Sequence, residues 1–180
     1  MTATTNEGSG GMPPVVPIID RQRRYDRGIR VWGTHGQAVM EKARICLLNA
    51  GPTGSEALKN LVLGGIQSFT IVDGQKVQPV DLGNNYLVTA SGLVTPRAQC
   101  VTECLKELNE TVTGSYVEED PASLISNNPD FFSSFDLVIG TQLPYSVAID
   151  LDSLCRQRDI PLIFARSYGL VGYLRVRLYV

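Results

Sequence analysis

Residues 44–73 read RICLLNAGPTGSEALKNLVLGGIQSFTIVD, and the fold turns on them. Ile45, Cys46, Leu47 and Leu48 form a short apolar run, the pattern of a strand buried on both faces. Residues 49–53 make a turn carrying Gly51 and Pro52. Residues 54–63 place Ala57, Leu58, Leu61 and Val62 at helical spacing, and Gly64-Gly65 stops that helix. Residues 69–72 are a second apolar run, ending in Asp73. Strand, glycine turn, helix, strand and acid form the first unit of a Rossmann-type sheet. In such a unit phosphate approaches backbone N–H groups at the helix start, where side chains are absent. The acid at the end of the second strand accepts ribose hydroxyls. A G-x-G-x-x-G fingerprint ending at Gly54 needs glycine at position 49, where Asn49 stands; Gly51 and Gly54 fill the other two places. The loop is open to two readings: a nucleotide-binding loop, or a structural turn.

The chain has 180 residues, a net charge of −2 and 43% hydrophobic residues, which suits one globular domain with a real core. The near-neutral charge argues against a nucleic-acid partner. No apolar run is long enough to span a membrane, and the N-terminus does not have the pattern of a secretory signal. Cys46, Cys100, Cys104 and Cys155 contain no C-x-x-C pair, and His35 is the only histidine, so no metal site is expected. Reduced, mostly buried thiols fit a cytoplasmic or nuclear protein.

Residues 1–20 are rich in Thr, Gly and Pro and read as a disordered arm. Arg21, Arg23, Arg24, Arg27 and Arg30 follow as a solvated basic segment, with a short helix over 34–43 that Thr34 could cap. Residues 75–95 are irregular, and a loop of that length is usually functional or partner-facing. Thr95-Pro96 reads as a cap and first residue of a helix with Ala98, Val101, Leu105 and Leu108 inward. Further strands are expected at 115–117, 136–140 and 161–165, short helical turns over 121–134, and a helix over 146–158 with Val147, Leu151 and Leu154 inward. Strands alternate with helices throughout. The expected architecture is α/β: a Rossmann-like, mostly parallel sheet with helices on both faces. Residues 172–180 alternate, with Leu174, Val176, Leu178 and Val180 on one face and Tyr173, Arg175, Arg177 and Tyr179 on the other. They end in mid-strand, so a fragment or shortened isoform is expected.

RRYDRGIRVWGTHGQ, LLNAGPTGSEALKNLVLGG, FTIVDGQKV, DLGNNYL and RSYGLVGY, in this order, resemble the regulatory subunits of heterodimeric neddylation-activating enzymes. The resemblance runs from about Tyr25 to Val180. The wider ThiF-like family includes bacterial adenylating enzymes of molybdopterin and thiamine synthesis and the activating enzymes for ubiquitin-like modifiers. The resemblance implies a ThiF-like adenylation-type domain over 21–180, incomplete at its C-terminus. It implies a heterodimer in which a catalytic subunit adenylates a ubiquitin-like modifier with ATP and magnesium and passes it to a cysteine. This chain would hold no cofactor of its own.

Carried over position by position, Asp73 matches the ribose-binding acid. The second acid of the active pattern is Gln75, and its Asn, Arg and Gln fall on Asp81, Asn84 and Asn85. Asn in place of Arg removes a charge where phosphate must be neutralised. The phosphate-binding Lys falls on Arg97, which keeps charge but changes geometry. The magnesium-binding Asp falls on Gly140. With the acids at 75 and 140 absent, metal-dependent adenylation is not expected in cis. Arg27 matches the arginine of an R-Y-x-R-Q motif that reaches across the dimer to the partner's ATP phosphates, although Gly28 replaces its Gln.

Two other readings share the same residues. A nicotinamide-dependent dehydrogenase has the same opening unit, but Asn49 and the lack of a substrate domain stand against it. A pure interaction scaffold with a dead nucleotide site differs only in leaving Arg27 without a chemical role.

Overall fold

The apolar runs become the centre of a six-stranded sheet in the computed structural model, which describes residues 18–178, with side chains from 22 onward. The elements in chain order are helix α1 (Ile18–Met40), strand β1 (Arg44–Leu48), helix α2 (Pro52–Gly64), strand β2 (Ser68–Val72), helix α3 (Arg97–Leu108), strand β3 (Thr113–Val117), helix α4 (Pro121–Asn127), strand β4 (Leu137–Thr141), helix α5 (Tyr145–Gln157), strand β5 (Leu162–Tyr168) and strand β6 (Val171–Arg177). The strand order is β3-β2-β1-β4-β5-β6. The first five strands are parallel, and β6 returns antiparallel to β5 at one edge. The expected sheet is therefore the observed one.

Strand alternation divides the core into two layers. Leu47, Phe69, Ile71 and Ile139 pack with Leu58 and Val62 of α2 and Val101 and Leu105 of α3. Cys46, Leu48, Val72 and Val138 face the other way, onto Leu124, Phe132, Leu151 and Leu154. Each fully buried aliphatic side chain contributes about 1.5–3 kcal/mol. The order reverses at β1, whose neighbours are β2 and β4, and the carboxyl ends of β1 and β4 open the crevice where ligands bind in such sheets.

Several boundaries differ from the expected ones. The basic segment is solvated as expected, with Arg23, Arg24, Arg27 and Arg30 exposed, but it is helical: it lies in α1, which starts at Ile18, before the expected domain boundary. Only residues 1–17 of the expected disordered arm, and the last two residues of the alternating segment, lie outside the described residues. The expected short helix over 34–43 is the second half of α1, set off by a break at Gly33 and ending at Met40. Thr95 caps nothing. Its hydroxyl donates to the Gly92 carbonyl at 2.5 Å and lies 2.7 Å from Cys100 Sγ, and α3 begins only at Arg97, with Pro96 just outside. Leu108, the last residue of α3, is 40% exposed rather than inward. Residues 75–95 are irregular apart from 3-10 turns at Asp81–Gly83 and Ala90–Gly92. Among the described residues no helix is long and apolar enough to cross a membrane.

Candidate functional site

The crevice at the switch point is built from the end of β1. Asn49 takes a left-handed conformation, φ 67°, which asparagine tolerates better than most residues. Its Nδ2 donates to the Thr141 carbonyl at 3.0 Å, and the Thr141 hydroxyl donates back to the Asn49 carbonyl at 2.7 Å. The loop is thus tied to β4. Gly51 sits at the N-cap of α2 with open space around it, followed by Pro52 at the first helical position. Gly54 is different. A Cβ there would lie 2.4 Å from the Asn49 carbonyl oxygen and 2.8 Å from the Thr141 hydroxyl. Gly54 is required by packing alone, whatever the loop binds. Ser55 donates its hydroxyl to the Ala50 carbonyl at 2.8 Å, and Asn85 Nδ2 reaches the same carbonyl at 3.0 Å.

Asp73 follows β2 and is fully buried beneath this loop. Its Oδ2 accepts the Ala50 N–H at 2.8 Å and the Arg97 Nε–H at 2.8 Å, and its Oδ1 accepts the Gln75 N–H at 2.8 Å. Arg97, in the first turn of α3, also brings Nη1 to 3.3 Å from Asp81 Oδ1, while Asp81 Oδ2 accepts the Gln78 N–H at 2.9 Å. The side chain of Arg97 is only 14% exposed. One guanidinium therefore joins two buried carboxylates and pins the irregular loop to the ends of β2 and α3. Asp73, the acid that the resemblance assigns to a ribose, is fully buried and already accepts three of the chain's own donors, so a ribose would have to displace Arg97 to reach it. The residues present do not fit a nucleotide with magnesium. Among the described residues no group of three or more His, Cys, Asp or Glu side chains is arranged to hold a metal ion.

Asn49, Gly51, Gly54, Asp73, Asp81, Asn85 and Arg97 are brought together. Gln75 contributes its backbone while its side chain is exposed, and Asn84 is exposed. Gly140 is not part of the group. A side chain there would run into Leu143 at 2.7 Å and Phe164 at 3.2 Å, on the layer of α5, whereas its neighbour Thr141 faces the loop. Arg27 is also apart: Tyr25, two residues away, seats its ring on Gly65 at the far end of α2. Thr141 and Ser55 hold the loop and have no motif of their own. An alternation count from Gly140 would have put Thr141 on the loop side.

The two buried thiols, Cys46 and Cys155, are held as unreactive thiols. Cys46 is fully buried and burial pushes its pKa well up. Cys155 is raised to about 12, first by burial and then by the Asp152 carboxylate.

A ThiF family model matches residues 25–179. The chain belongs to the ThiF family. Among ThiF relatives, a NEDD8-activating enzyme E1 regulatory subunit, AXL, of Arabidopsis thaliana is 55% identical over 159 residues, covering 88% of this chain and 30% of that protein. The NEDD8-activating enzyme E1 regulatory subunit of Gallus gallus is 51% identical over 156 residues, covering 87% of this chain and 29% of the relative. The chain thus spans about three-tenths of the length of these relatives. Among solved structures, E. coli tRNA N6-threonylcarbamoyladenosine dehydratase, TcdA, superposes with a TM-score of 0.74 at 21% identity, over 83% of this chain and 62% of that one. That likeness shows the ThiF fold. These relatives do not favour the dehydrogenase reading.

Proposed function

We propose that this chain acts as a regulatory, non-adenylating subunit of a neddylation-activating enzyme in the cytoplasm or nucleus. Its partner is a catalytic subunit that holds ATP and magnesium and activates a ubiquitin-like modifier. The observation that carries the reading is the Arg97–Asp73 pair: a side chain of the chain itself occupies the acid that would hold a ribose. The printed names of the ThiF relatives support it. What this chain contributes is a folded partner surface and Arg27. An arginine offered in trans stabilises charge developing on the leaving pyrophosphate. Arg27 is exposed on α1, which leaves its guanidinium on the protein surface.

A pure scaffold is the second reading, and Arg27 separates the two. Modifier-dependent ATP–pyrophosphate exchange by the catalytic subunit, measured with the chain reconstituted into a heterodimer, decides it. Arg27→Ala is expected to lower exchange while the dimer stays intact. A charged donor at a well-ordered transition state is worth roughly 2.7–4 kcal/mol, and an exposed arginine less. Unchanged exchange from an intact dimer would leave only the scaffold.

A further inference from the structure

Helix α1 is broken at Gly33, where φ is 75° and ψ 172°, so that its two halves meet at an angle. Nothing packs against Gly33 itself; a Cβ there would meet no atom within 4 Å. The angle must be held elsewhere, and the residue placed to hold it is Trp32. Its indole lies across Gly28, one turn before, where an added Cβ would come 2.6 Å from Cζ2. It also lies across Gly36, one turn after the break, where an added Cβ would come 2.9 Å from Cδ1. The ring therefore touches both halves of the broken helix, and both contacts require the absence of a side chain. Its Nε1–H donates to Gln37 Oε1 at 3.1 Å. Gln37 is buried and donates through Nε2 to the Gly64 carbonyl at 3.0 Å, at the end of α2.

The first half of α1 has a second anchor on the same end of α2. Tyr25 is buried, and its hydroxyl accepts from Asn109 Nδ2 at 3.1 Å. Asn109 Nδ2 also donates to the Val62 carbonyl at 2.8 Å, and Arg24 Nη1 donates to Asn109 Oδ1 at 2.9 Å. Arg27 lies between the two anchors, two residues after Tyr25 and five before Trp32.

We propose that Trp32 is a positioning residue for Arg27: wedged between Gly28 and Gly36 and bonded to Gln37, it fixes the angle at Gly33 and so the direction in which Arg27 reaches a neighbouring active site. The proposal rests on the reading that Arg27 acts in trans. A wedge of this kind matters because misplacing a reacting group by about 1 Å can cost on the order of 10²-fold in rate. A tryptophan that only filled space would add stability without coupling to Arg27.

Two measurements test it separately. Trp32 is the only tryptophan of the chain, so intrinsic emission reports its seat directly. Gly28→Ala adds one methyl at the contact and replaces glycine by a better helix former, so it displaces the ring without weakening α1. The indole is already 43% exposed, so the readout is its mobility: a less anisotropic emission is expected in the full chain, and an unchanged anisotropy would overturn the clamp, whatever Arg27 does. The second measurement is modifier-dependent ATP–pyrophosphate exchange on the heterodimer, with Arg27→Ala, Trp32→Ala and the double variant. Trp32→Ala should lower kcat by about 10- to 10²-fold with little change in the KM for ATP. Trp32→Phe, which keeps the wedge and loses the Nε1–H bond, should recover part of the loss, and the double variant should equal Arg27→Ala alone. Losses that multiply, or a Trp32→Ala variant as active as the parent, would overturn the proposal while leaving Arg27 in place. A silent Arg27→Ala would overturn the trans reading, and with it Trp32's part in catalysis, while the emission result still stands for the clamp.

Discussion

Arg97 donates its Nε–H to the fully buried Asp73 carboxylate at 2.8 Å. The two residues are 24 apart in sequence and meet only because α3 starts where β2 ends. Breaking a buried pair by removing one partner costs about 3–5 kcal/mol, since the remaining charge is left unpaired. Here Arg97→Ala would leave both Asp73 and Asp81 without their cation. A loss in that range is expected in urea unfolding, as a lower midpoint at unchanged slope. A loss under about 1 kcal/mol, the scale of an exposed pair, would mean that the triad is solvated.

The two glycines of the loop should separate on substitution. Gly54→Ala drives a methyl into the Asn49 carbonyl and the Thr141 hydroxyl, and overpacking of that kind costs typically about 1–3 kcal/mol. Gly51→Ala meets nothing within 4 Å and loses only the preference of an N-cap for glycine over alanine, so it should cost less than about 1 kcal/mol. Thermal unfolding of both variants checks this. Equal losses would contradict the packing assigned to Gly54.

The first unit of the fold was legible because its signals are local: an apolar run, a turn and helical spacing all lie within residues 44–73. The helical nature of 18–32 was not, because its arginines carry no apolar stripe and its anchors, Tyr25 on Gly65 and Arg24 on Asn109, are tertiary. At the site, the sequence identified Asp73 and Arg97 separately as vestiges of nucleotide binding. That they satisfy each other depends on loop closure over residues 75–96, which no spacing rule reports. Gly140 was grouped with them by alignment alone; the pleat of β4 turns it to the opposite layer.

Stability at low pH should depend on Asp136. Arg44 hydrogen-bonds to this carboxylate through Nε and Nη2, both at 3.0 Å, and holds its pKa below the ordinary 3.8. A carboxylate depressed in the folded state contributes stability that is fully present above its unfolded pKa and is lost as pH falls through the folded value. The contribution should therefore be intact at neutral pH and fade below about pH 4. Asp136→Asn should lower the melting temperature at pH 7 and narrow its gap to the parent as pH drops through that window. A constant gap down to pH 2 would contradict the linkage.

Thiol labelling should follow burial. Iodoacetamide at pH 8 should modify the partly exposed Cys100 and Cys104 first, with Cys104 the slower because burial and Glu107 raise its pKa. Cys46 and Cys155 should react only on unfolding. Peptide mass mapping over time reads the order, and early labelling of Cys155 would contradict the packing of α5 on the sheet.

The claim on which the functional reading stands is that this nucleotide site is filled by the chain's own Arg97 rather than merely short of metal ligands. Isothermal titration of ATP with magnesium into the isolated chain tests it most directly. No heat above dilution is expected, because a ribose would have to displace a guanidinium from a buried carboxylate. Saturable heat with a micromolar Kd would contradict it and return the loop to service as a nucleotide site.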